Sequence, residues 1–182
     1  MIPTIENYNN NKQGSELELI VLDSNLENKI DKITNSLSRQ YFNTILKKLV
    51  KENKENAITL CNYIIAEQNE INIKDSTKEG KIKVIVWLSN FHKNKKFEDM
   101  TKEDILEFLN SLRKPTDKDP THKWIGSYNG RQTILLKFFK WLYNPDEPDN
   151  RKRKTPLCIQ GIKRLTRKEK TTYEPGDIWE ER

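Results

Sequence analysis

The 182 residues are 34% hydrophobic and 33% charged, enough for one modest core of about 100 residues wrapped in solvated surface. No run approaches the roughly 18 apolar residues that span a bilayer. Residues 1–7 carry neither a basic n-region nor an apolar h-region, so neither a membrane partner nor a secretory signal is expected. Cys61 and Cys158 suggest no disulfide framework and no metal knuckle, and the chain is expected to be cytoplasmic, in a reducing compartment.

The net charge of +6 is unevenly placed. Residues 1–120 are neutral, with 19 basic and 19 acidic side chains; residues 121–170 carry 13 basic against 4 acidic; residues 171–182 have 1 basic and 4 acidic. Basic excess gathered in one stretch suggests a polyanion-binding surface. The plainer alternative is a solvated basic tail.

In chain order, residues 1–15 are polar and Asn-rich and predict disorder, and 17–22 form a short apolar run of undecided type. Ser24 and Glu27 have capping-box spacing ahead of Leu26, Ile30, Ile33 and Leu37, which share a helical face. Tyr41, Phe42, Ile45, Leu46 and Leu49 predict a helix over 36–52, and Ala57, Ile58, Cys61, Ile64 and Ile65 one over 55–69. A helix over 76–92 buries Val84, Ile85, Leu88 and Phe91 and turns Lys78, Lys81, Ser89 and Asn90 elsewhere. Thr101 and Asp104 cap the next, with Ile105, Phe108, Leu109 and Leu112 behind them. After the loop of Pro115 and Pro120, a helix over 127–143 points Tyr128, Leu135, Phe138, Phe139 and Leu142 inward and Arg131, Lys137 and Lys140 outward. Pro145 and Pro148 end it. From 144 on there is no apolar stripe. The predicted class is all-α, a small helical bundle, divided into an arm (1–34), a core (35–145) and a basic linker (146–182).

Catalytic chemistry finds little material. His92 and His122 have no metal spacing and read as surface or capping residues, the six glycines form no phosphate loop, and Asp146, Glu147 and Asp149 read as turn residues. No cofactor is expected. The DNA-reading candidates are clearer. Ser127, Tyr128, Arg131 and Gln132 fall at the expected start of the last helix, where free N–H groups attract phosphate and Arg or Gln suits guanine or adenine. The alternative is that Ser127 caps the helix and its neighbours are solvated. Lys78, Lys81, Lys83 and Lys137, then Arg151, Lys152, Arg153, Lys154, Lys163, Arg164 and Arg167-Lys168, are candidate phosphate contacts. Trp87, Trp124 and Trp141 read as core or hinge anchors.

The order of these features resembles the N-terminal arm and core-binding (SAM-like) domain of tyrosine recombinases, the phage-integrase superfamily, closest to the archaeal type. The resemblance rests on four segments: Thr77, Lys81, Ile85, Leu88 and Phe91; FEDMTKEDILEFLNSL at 97–112; YNGRQTILLKFFKWLYNP at 128–145, with its Phe-Phe-x-Trp-Leu ending; and GIKRLTRKEKTTYEPGDIW at 161–179. It implies double-stranded DNA in the major groove against the helices of 76–92 and 127–143, with full-length recombinase protomers as further partners. The family's His-x-x-Arg is missing, since Lys95 and Ile125 stand three residues after the two histidines, and Tyr173 lies in the linker without catalytic companions. The expectation is site recognition in integration or recombination without catalysis. A helical protein-interaction module and an RNA-binding accessory protein are the alternatives.

Overall fold

The computed structural model describes residues 25–166, and the class is all-α: six α-helices and one 3-10 turn, with no strand among the described residues. The helices are α1 (25–34), α2 (Arg39–Glu52), α3 (Lys54–Ile71), α4 (Asp75–Phe91), α5 (Lys102–Asn110) and α6 (Trp124–Tyr143), with the 3-10 turn Phe97–Asp99 between α4 and α5. None is long and apolar enough to cross a membrane. The predicted features at 1–15, 17–22, Ser24, Arg167, Lys168 and Tyr173 lie outside the described residues.

The helices form where the apolar spacing required them. Leu26, Ile30 and Ile33 recur on one face of α1; Phe42, Leu46 and Leu49 do so on α2; and Ile105, Phe108 and Leu109 do so on α5, all buried in one core. Asn53 starts α3 by accepting from the Asn56 N–H, and Asn72 ends it in the left-handed conformation that asparagine tolerates. Thr101 and Asp104 form the predicted capping box of α5. Phe138 of α6 occupies the centre, edge-on to Tyr63 of α3 (5.3 Å) and to Phe97 (5.0 Å).

Buried Asn56 ties three segments together. Its amide donates to Ser89 Oγ and the Lys95 carbonyl, while its oxygen accepts from the Phe97 N–H. Every polar atom it brings inside thus has a partner, as burial demands.

Both predicted outer boundaries shift. The last ten residues of the predicted arm are α1, and they contribute core side chains. The stretch 146–166, predicted as linker, folds back over the bundle: Cys158, Ile159 and Ile162 join the core, and Arg153 is 2% exposed. Arg153 Nη2 donates to both carboxylate oxygens of Glu70 on α3 at 3.0 Å, and its Nε donates to the Glu147 carbonyl. The Gln132 amide donates to the Ile162 carbonyl, and the Asn129 side chain pairs with both backbone groups of Leu165. Gly161, at φ +78°, makes the turn that delivers Ile162.

Candidate nucleic-acid interface

Five predicted DNA contacts lie inside the protein. Lys78 is buried, donates to Ser36 Oγ at 2.8 Å and pairs with Asp75 at 3.0 Å. Lys81 is buried against Glu67 and under the Tyr63 ring, and burial lowers its pKa against the opposing pull of Glu67. Tyr128 and Gln132 face the core, and Arg153 is held by Glu70. On α4, then, Lys78, Lys81 and Ser89 point inward, whereas Phe91, expected inside, is 41% exposed and Trp87, read as a core or hinge anchor, is 42% exposed. Lys83 is half-buried, 3.5 Å from Glu79 and close over the rings of Tyr41 and Phe42.

The start of α6 also differs from the expectation. The helix begins at Trp124, so Ser127 lies within its first turns rather than capping it. Asp119 does the capping, accepting from the Trp124 N–H at 3.0 Å. Desolvation pushes the Asp119 pKa up, but the Trp124 and Lys123 N–H groups outweigh it and hold the carboxyl below its usual value. An internal anion therefore already occupies the helix end where a phosphate was expected.

What remains is a different, coherent site. Ser127 and Arg131 lie one turn apart on α6. The Arg131 guanidinium sits 4.7 Å from the Trp87 ring centroid and 5.5 Å from that of Phe108. Desolvation lowers its pKa. Beside it opens a notch of about 360 Å³, lined by Lys114, Asp119, Lys123, Trp124, Ser127 and Arg131. Arg113 rests over the Trp124 ring at 5.5 Å. Among the described residues no carboxylate is in ion-pair contact with Arg131 or Lys123. Exposed Lys163 and Arg164 belong to the segment that Gln132 and Asn129 hold along α6. Arg151, Lys152 and Lys154 are also exposed, and Lys137 is half-buried.

Sequence reasoning missed Lys114, Lys123 and the role of Trp87. The two lysines bracket the Pro115–Pro120 loop, whose closing turns (Lys118 N–H to the Pro115 carbonyl, His122 N–H to the Asp119 carbonyl) return the chain to α6. Neither histidine belongs to the notch wall: the His92 ring lies 2.8 Å from the Asp104 carbonyl, and His122 turns the loop at φ 47°. Comparison with protein-family models, with curated proteins and with solved structures gives no match.

Proposed function

We propose that this chain binds double-stranded DNA in a sequence-dependent way, as the core-binding domain of a tyrosine-recombinase-like protein would, supplying site recognition and no strand chemistry of its own. One observation carries the reading. Arg131 stands on Trp87 without a carboxylate partner among the described residues, with Ser127, Lys114 and Lys123 around it and Lys163 and Arg164 alongside its helix. Cations at the rim would hold phosphates and fix the orientation, while a planar guanidinium in the middle is suited to a base edge.

A second reading has its own support. Leu157, 82% exposed, and Tyr143 line a cleft of about 620 Å³ with Pro156, Lys102 and Lys154, a surface of the kind that docks another protein. A recombinase protomer would be one such partner. Fluorescence anisotropy with duplex DNA, single-stranded DNA and duplex RNA of equal length separates the readings. The DNA reading expects duplex DNA to bind most tightly. Tighter binding of RNA would replace it with the RNA-binding alternative, and no binding of any of the three would leave the protein-docking cleft in the lead.

A further inference from the structure

We infer that the Trp87–Arg131–Phe108 cluster is a guanine-reading site, and that Trp87 is the positioning residue that makes Arg131 selective. This rests on the DNA-binding reading above. Arg131 is the half-buried cation of the notch, its guanidinium over two aromatic rings at 4.7 and 5.5 Å. Lys114 and Lys123 are exposed side chains at the rim, and exposed Arg113 lies over a single ring, that of Trp124, at 5.5 Å.

That restraint has a chemical use. A phosphate accepts a cation from many directions, so a mobile lysine serves it well. A base edge does not. Guanine alone presents two acceptors, O6 and N7, side by side in the major groove, and a guanidinium meets both only when its plane is correctly turned. Holding that plane in advance removes the ordering cost from the binding step. The exposure of Trp87 fits the same role, since a large indole is kept at the surface with a cation on its face.

The test is selection from a pool of randomised duplexes, sequenced after binding, with the full chain and its Trp87→Leu, Trp87→Phe and Arg131→Lys variants, each checked for folding by circular dichroism. The parent is expected to select guanine at one or more positions by about ten- to hundredfold. Arg131→Lys keeps the charge and loses that preference. Trp87→Leu loses the preference by a larger factor than it loses affinity for unselected duplex, and Trp87→Phe, which keeps an aromatic face, retains most of it. If Trp87→Leu selects guanine as strongly as the parent, the positioning role is wrong. If the parent binds duplex with no guanine preference, or Arg131→Lys leaves the preference intact, the guanine site is wrong while the DNA-binding reading stands. A parent that binds no duplex removes both.

Discussion

Asp104 serves two segments with one carboxylate. It accepts from the Thr101 N–H at 2.7 Å, closing the α5 capping box, and from Lys95 Nζ at 2.7 Å, fastening the loop after α4. Burial alone would raise its pKa; the Lys95 and Thr101 hydrogen bonds outweigh that and bring it down from 3.8 to about 2. A carboxyl with a depressed folded pKa stabilises fully above its unfolded value, and that contribution fades as pH falls from about 3.8 toward about 2. Asp104→Ala should therefore cost about 1 kcal/mol at neutral pH, read by urea denaturation, and the gap to the parent should close across that acid window. A gap that persists at pH 2 would mean that the side chain acts by packing and not by charge.

Lys81 and Glu67 make the opposite case, a charged pair taken fully inside. Removing one partner strands the other, so Lys81→Met should cost about 3–5 kcal/mol. Lys81→Met combined with Glu67→Leu should recover most of that loss, because the desolvation penalty disappears with the charges. A double variant as unstable as the single one would show that the pair is net favourable.

At the scale of elements, the helices were legible in the sequence because each carries its own periodic stripe, and α5 also carries its capping box. The stretch 146–166 was not. Its anchors are Cys158, Ile159, Ile162 and one buried arginine on irregular backbone, and no period links them. Their meaning depends on Glu70 and Gln132, 83 and 30 positions away from the atoms they bind. Of the candidate site, Ser127 and Arg131 were legible as a polar pair on α6. Lys78 and Lys81 misled for a simple reason: lysine ordinarily faces water, and nothing local announced Ser36, Asp75 or Glu67 as internal partners. The start of α6 was misplaced because its capping carboxylate, Asp119, lies five residues upstream across a turn.

A stretch that is part of the core behaves differently from a linker. Ile159→Ala, at 1% exposure, should cost about 2–5 kcal/mol in urea denaturation. Leu157→Ala, two residues away but open to solvent, should stay within about 0.5 kcal/mol of the parent. A chain ending at Pro145 should melt well below the full chain. Equal stability of the truncated and full chains would return 146–166 to the status of a linker.

For the whole molecule, the decisive property is where positive charge is left free. Of the 16 predicted DNA contacts, 14 lie among the described residues, and six of those have internal or local partners: Lys78, Lys81, Tyr128, Gln132 and Arg153 inside, and Lys83 beside Glu79 and over two aromatic rings. The other eight, Ser127, Arg131, Lys137, Arg151, Lys152, Lys154, Lys163 and Arg164, are joined by Lys114 and Lys123 from the loop that feeds α6. Cations left free of internal partners are the ones that can displace counterions from a duplex. The direct measurement is duplex DNA affinity by fluorescence anisotropy across a salt series. With several phosphate contacts, affinity should fall by on the order of 10²–10⁴ between about 50 and 200 mM salt, and replacing Lys114, Lys123, Lys163 and Arg164 with Ala should flatten the slope. An affinity that does not change with salt would contradict the account, because the basic stretch would then be only a solvated surface.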